Sequence, residues 1–506
     1  MNRKILIAVI AVILIIFIAL FALPNMQSGE TASINFDKNS LEDRGTLTVD
    51  SEDISQDKGY YSSSSADENT VLVKNSGVLK LANSIINKTG DTSSTGDDAD
   101  FYGINSAVLV NTNGTLDISN VEIVTNSKGS NGIFVTNADG SSGSSSGTDY
   151  AQAPGGGEGG SNPPAMPGGG NGSQSGGSPP ESQGAEGSSG QAPGASSETI
   201  EGTTKADIEN VKITTYSDKS RGLDATYNGI INAKNVEINT NGQSCAALAT
   251  DRGEGEVHVS NSILNTGVDQ QSGRGSPLIY STGNITLDDS KGCAYVSQIA
   301  CIEGKNSIEL TNCDLSAFAG GNRQDGNIYV DLGGIFIYQS MSGDADVGTS
   351  IFRAENSNLT INENSTIYNE APMIHVTNTK AVIDLKSTEL NFGSGVFLNV
   401  SGQNQWGNDG SNGGNVELKL DSETINGDMI IDSISSLNCS LVSSTLNGAI
   451  NPSGEFGVTN LTIGSGSTWN LDGDSYLGSL ENSGTINYNG HSLYVDGKVY
   501  SESNPY

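Results

Sequence analysis

Five residues, Ile308-Glu-Leu-Thr-Asn312, carry the pattern that organises most of the chain: apolar and polar residues alternate, and an Asn closes the run. Alternation with period two sends Ile308 and Leu310 to one side and Glu309 and Thr311 to the other, which describes a strand with one buried face and not a helical stripe. The unit returns as Leu79-Lys-Leu-Ala-Asn83, Leu116-Asp-Ile-Ser-Asn120, Ala206-Asp-Ile-Glu-Asn210, Ile231-Asn-Ala-Lys-Asn235, Val257-His-Val-Ser-Asn261 and Phe352-Arg-Ala-Glu-Asn356. Ile285-Thr-Leu-Asp-Asp289 and Ile383-Asp-Leu-Lys-Ser387 are variants of it. From Asn210 to Asn312 the markers lie 23 to 28 residues apart, the length of one coil of a stacked solenoid.

Asn suits the end of such a strand because it tolerates left-handed backbone geometry and bonds to neighbouring backbone. Stacked coils should align these residues into a ladder, so none is nominated for chemistry. Further short strands follow each marker, among them Arg221-Gly-Leu-Asp-Ala-Thr, Ala246-Ala-Leu-Ala-Thr and Pro277-Leu-Ile-Tyr. A Leu consensus is missing, and frequent Gly with β-branched strands argues against helical repeats. The expected fold is all-β: a right-handed parallel β-helix (solenoid), preceded by one N-terminal transmembrane or signal helix.

Low-complexity sequence rich in Gly, Ser and Pro interrupts the repeat over 141–198 and lacks the residues to bury a core. Removing it leaves about one coil between Asn120 and Asn210, so it reads as an extruded loop. The implied organisation is a helix over 1–24, first coils over 25–140, the insertion, central coils over 199–455, and terminal coils with a cap over 456–506. Trp469, Tyr488 and Tyr494 are candidates to cover the last open edge.

Composition limits the function classes. The chain has 506 residues, 65 Gly, 58 acidic against 24 basic residues and a net charge of −34, a balance that argues against nucleic acid as a partner. Five Cys and three His, without a Cys-x-x-Cys pair, point to buried thiols and away from a disulfide framework or a zinc site. At the N-terminus, Asn2-Arg3-Lys4 precedes an apolar run from Ile5 to Leu23, long enough to span a bilayer with the body outside. Removal of that run as a signal would release the body instead. Sequons such as Asn87, Asn284 and Asn460 offer acceptors for glycans on an exported chain.

The densest charged constellation falls on successive coils: Arg221 and Asp224, then Asp251, Arg252 and Glu254, then Glu303 and Lys305. Asp224, Asp251, Arg252 and Glu303 are the candidate ligand-binding residues. If the protein were a lyase, Arg221, Arg252 and Lys305 would be the candidate bases. Opposite charges on adjacent coils are equally the mark of ordinary cross-strand pairing. No cofactor is required, but acidic turns, Asp344-Ala-Asp346 above all, carry the oxygen ligands that Ca²⁺ takes, which makes Asp344 and Asp346 the metal candidates. Tyr60, Tyr61, Tyr227, Tyr280, Tyr338 and Trp406 stand near strand ends, where exposed rings stack on sugars.

Tyr61-Ser-Ser-Ser-Ser-Ala-Asp-Glu-Asn-Thr-Val-Leu-Val, Ser220-Arg-Gly-Leu-Asp-Ala-Thr-Tyr, Cys245-Ala-Ala-Leu-Ala-Thr-Asp-Arg-Gly and Glu303-Gly-Lys-Asn-Ser-Ile resemble segments of the adhesin-like, pectin-lyase-like β-helix surface proteins of bacteria and archaea. The resemblance runs from about residue 45 to 506 and transfers no catalytic residue. It implies a non-enzymatic cell-surface protein that presents its repeats to polysaccharide, or to components of the envelope or of a host surface. A Ca²⁺-dependent polysaccharide lyase and a structural envelope component are the alternatives.

Overall fold

The computed structural model describes residues 32, 34–94, 98–138, 201–268, 276–319, 323–325, 328–330 and 332–500. The apolar run Ile5 to Leu23 and the 141–198 insertion lie outside them. Among the described residues, no helix is long and apolar enough to cross a membrane.

Strands stack coil upon coil in parallel register, forming a parallel β-helix. One coil serves for all. Glu256–Ser260 lies on a first face, the chain turns at Asn261, Ile263–Thr266 forms a second face and Ile279–Ser281 a third. Asn284–Asp288 then opens the next coil, directly against Glu256–Ser260. The first two faces belong to one folded sheet of 22 strands, and the third is a 12-stranded sheet from Leu47–Asp50 to Asp428–Ile431. Inward residues such as Ile285, Leu287, Ile308 and Leu310 form one continuous apolar core. Ser307–Thr311 places Ile308 and Leu310 inside and leaves Glu309 and Thr311 outside.

All nine marker residues adopt the left-handed conformation, with φ between 49° and 57°. Their side chains form the expected ladder: Asn210 Nδ2 donates to Asn120 Oδ1 at 3.1 Å, Asn235 to Asn210 and Asn261 to Asn235 at 3.4 Å, and Asn312 to Asp289 at 2.9 Å. Ser422 and Ser443 continue the series with φ of 60° and 49°. Lys205–Thr215 pairs directly with Thr115–Asn126, so Asn120 and Asn210, 90 residues apart in sequence, are neighbours on successive coils. The two chain ends at that point are tied together, with Thr204 Oγ1 donating to Asn137 Oδ1 at 2.6 Å and Asn113 Nδ2 to Glu201 O at 3.0 Å.

At the far end, Leu493–Val495 pairs antiparallel with Lys498–Val499, a hairpin that ends the parallel stacking. Trp469 is buried in the core with Nε1 bonded to Gly448 O at 2.9 Å, and Tyr494 stacks on Tyr476 at 4.6 Å. Tyr488 packs against the core from a half-buried position.

Candidate functional site

The third face carries the residues singled out in sequence. Its strands alternate, so Leu223 and Ala225 enter the core while Asp224 between them points outward. Yet Asp224 is fully buried, and so are Phe134 beside it in register and Cys301 and Phe336 farther along. A cover explains this. The helical turn Asp98–Phe101 and the residues after it close over one part, and Gly103 approaches Phe134 so tightly that a Cβ there would lie 2.4 Å from the ring. At φ +68° and with that contact, only Gly fits. Farther along, Trp406 packs on Tyr338 at 4.8 Å, within a cluster of Cys301, Phe336 and Tyr338 that is separate from the core.

Under the cover the charges are paired with one another. Arg221 reaches Asp100 at 2.8 Å through Nη1, and through Nε it reaches Asp251 at 2.6 Å and Asp224 at 3.6 Å. Lys219 holds the second oxygen of Asp100 at 2.8 Å. Arg252 bonds Asp344 through Nε at 3.1 Å and lies 3.7 Å above the Phe101 ring. Glu303 accepts from the hydroxyls of Tyr280 at 2.8 Å, Tyr338 at 2.9 Å, and Ser340. Lys305, more exposed, pairs with Glu254 at 2.5 Å and Asp346 at 3.0 Å.

Burial sets the electrostatics. It opposes ionisation of Asp100, but Arg221 and Lys219 outweigh it and hold that carboxyl below its ordinary range. Asp224 is pushed well upward by burial and then by the neighbouring Asp251. Burial likewise raises Asp251 and Glu303, and it raises the phenols of Tyr280 and Tyr338.

The constellation expected from sequence is therefore assembled, but as an internal network. Arg221, Arg252 and Lys305 each already hold carboxylates. Asp344 and Asp346, the metal candidates, lie on Arg252 and Lys305. Among the described residues, no group of three or more His, Cys, Asp or Glu side chains is arranged to hold a metal ion. Of the six aromatic candidates, Tyr61, Tyr227, Tyr338 and Trp406 are buried, so their faces are not open to sugar. Asp100 and Lys219 were missed as partners of this network. Asp100 reads in sequence only as part of an acidic turn, 121 residues before Arg221.

A second site lies on the uncovered first face. Two shallow grooves, of about 430 Å³ and about 340 Å³, share Asp117 and run end to end along the solenoid. Ser55, Lys80, Asp117, Asp207, Asn232 and His258 follow one another in strand register across it, with Asp57, Ser119, Glu209, Lys234 and Asp288 alongside. Lys80, Asp117, Glu209, Lys234 and Asp288 form no ion pair within 4.0 Å among the described residues. Farther along the same face three rungs are neutralised: Arg353 pairs with Glu309 at 2.7 Å, Lys386 with Glu355 at 2.6 Å and Lys419 with Asp384 at 3.7 Å. The groove gathers five charges without such a pair, of both signs, within reach of one extended ligand. Sequence reading passed over it because the register that lines these residues up is not visible in any one repeat.

No family model matches the chain, and no curated protein matches it.

Proposed function

We propose that the protein is a non-enzymatic, adhesin-like surface protein of the pectin-lyase-like β-helix type, which binds extended polysaccharide along the groove of its first face. The observation that carries the reading is the file of polar side chains from Ser55 to Asp288. In it Lys80, Asp117, Glu209, Lys234 and Asp288 form no ion pair among the described residues, whereas Asp207 is held by Lys205 and Asn232, and His258 by Glu256. The file crosses seven coils, roughly 30 Å at the usual strand spacing, and runs parallel to the solenoid axis. An extended polymer fits that shape better than a compact ligand. Alternating carboxylate, amide, ammonium and imidazole groups supply the hydrogen bonds that sugar hydroxyls need. The apolar run Ile5 to Leu23 would hold the body at the outer side of a membrane.

The lyase alternative draws less support. A base must reach the substrate, and Arg221 and Arg252 are held by carboxylates beneath the cover. Incubating the full-length chain with a panel of polysaccharides, with and without Ca²⁺, separates the readings. The expected result is retention without unsaturated products, weakened by Asp117→Asn with Asp207→Asn. Release of unsaturated sugars would overturn it, and loss of all retention would leave the structural envelope role.

A further inference from the structure

We infer that Asp224 and Asp251 share one proton, and that this proton latches the cover formed by residues 98–106 onto the third face. The count of charges carries the argument. Three carboxylates, those of Asp100, Asp224 and Asp251, converge on the single guanidinium of Arg221, and one further cation, Lys219, serves Asp100 alone. Fully ionised, the group would hold one uncompensated negative charge away from water, a state that buried carboxyls avoid by taking up a proton. Asp224 is the place for it: the side chain is wholly buried, and neither oxygen receives a hydrogen bond. A proton on Asp224 can be donated to Asp251 and leaves both cations matched.

The surrounding groups do not supply the missing charge. Tyr280 is committed to Glu303, Arg252 to Asp344, and the Cys245 thiol to the backbone of Ser217 and Gln243. Burial and mutual proximity raise the proton affinity of the pair in the closed state, so the closed state binds a proton that the open, hydrated state releases. Closure is therefore favoured below the closed-state titration and lost as pH rises through it. Asp100 transmits the change, because it ties the helical turn Asp98–Phe101 to Arg221 and Lys219 beside the titrating pair. The helical turn is also held by Thr226 Oγ1 donating to Phe101 O at 2.9 Å, by Asn131 Nδ2 donating to Ala99 O at 3.4 Å, by Arg252 over the Phe101 ring and by the stack of Tyr102 on Tyr227. Gly103, Asn105 and Ser106 are hydrogen-bonded to Asn69, Asp67, Gly90 and Lys128. These ties do not titrate, so the pH dependence of opening falls to the shared proton. Opening would uncover Phe134 and Leu109, an apolar surface separate from the groove.

Hydrogen exchange of the full-length chain, followed by mass spectrometry over a pH series and corrected for intrinsic exchange, tests this. In the wild type, protection of 98–106 should fall about tenfold per pH unit above the titration, as one-proton linkage requires. Protection of the strand Ile133–Thr136 should hold in its backbone pairing with Leu223–Thr226. Asp224→Asn should keep 98–106 closed across the series, and Asp100→Asn should lower its protection at every pH. An unchanged pH profile in Asp224→Asn overturns the proposal. Should that variant not fold, infrared spectra of wild type with labelled Asp decide: a protonated carboxyl band persisting at neutral pH is expected, and its absence is equally fatal.

Discussion

The third and first faces of this solenoid carry the same kinds of residue at equivalent outward positions, and they differ in what lies over them. On the third face Arg221, Asp224 and Asp251 are covered, and their carboxyls are shifted by burial and by one another. On the first face Arg353 and Glu309 stand in solvent, each close to half exposed, on a bare sheet. A charge on a β-helix is thus structural or available according to the loops above it, not according to its place in the repeat. In water the attraction between such groups is small, while beneath a cover it grows severalfold and an unpaired charge becomes costly.

The largest effect should follow from removing the covered cation. Arg221→Met leaves Asp100, Asp224 and Asp251 without their common partner, and breaking a buried pair in this way costs about 3–5 kcal/mol. Chemical denaturation should show a lower midpoint with little change in slope. A loss under 1 kcal/mol would mean that water reaches the network and that the two faces do not differ.

Glu423 sharpens the comparison, because it is a covered carboxyl without a cation. It occupies the place filled by Ser357 and Ser444 in other coils, where the hydroxyl accepts an amide from the preceding coil. Its Oε1 accepts from Thr388 N at 2.8 Å, and Oε2 is buried without a partner. Burial pushes its carboxyl up to about 7. A raised folded-state value means that its contribution is fully present below the unfolded value and is lost as pH rises through about 7. Glu423→Gln should remove that slope and, above neutral pH, stabilise the protein by about 1–3 kcal/mol. Stability curves that stay parallel at pH 4 and pH 8 would contradict this.

Much of this architecture could be read from sequence. Period-two alternation with a closing Asn gave the coils, and the chemistry of Asn gave both the left-handed bend and the ladder from Asn120 to Asn261. Asn120 and Asn210, 90 residues apart, stand on successive coils because the strands on either side keep the pattern, while the segment 141–198 that reads as an extruded loop lies outside the described residues. The candidate site was legible only in part. Arg221, Asp251 and Arg252 do meet near one another, because neighbouring coils bring them together. Their covering partners do not obey the repeat: Asp344 lies 92 residues after Arg252, in a segment without periodicity. Glu423 escaped because the residue after a marker is turned inward by the left-handed bend, which the alternation within one strand does not show.

The ladder offers a test of intermediate size that belongs to neither face. Asn261 holds φ 50° and donates to Asn235. Asn261→Val places a β-branched residue in the left-handed region, at a cost of about 1–2 kcal/mol, whereas Asn261→Gly should lose less because Gly enters that region freely. If the two variants are equally destabilised, the ladder bond and not the backbone is what Asn contributes.

The smallest effect is expected on the bare face, and it closes the comparison. Arg353 Nη1 lies 2.7 Å from Glu309 across two coils, a better geometry than the 3.6 Å approach of Arg221 to Asp224. Distance alone would rank it the stronger. Solvent reverses the order: both side chains lose rotamer freedom to meet, water screens them, and exposed pairs of this kind contribute about 0–1 kcal/mol. A double-mutant cycle with Arg353→Met and Glu309→Gln should give a coupling in that range, shrinking further as salt is raised and the screening length falls from about 10 Å to about 3 Å. The Arg221 network should keep its coupling under the same salt, since no ions enter beneath the cover. A salt-insensitive Arg353–Glu309 coupling above 2 kcal/mol would show that the length of an ion pair, not what lies over it, sets its strength in this solenoid.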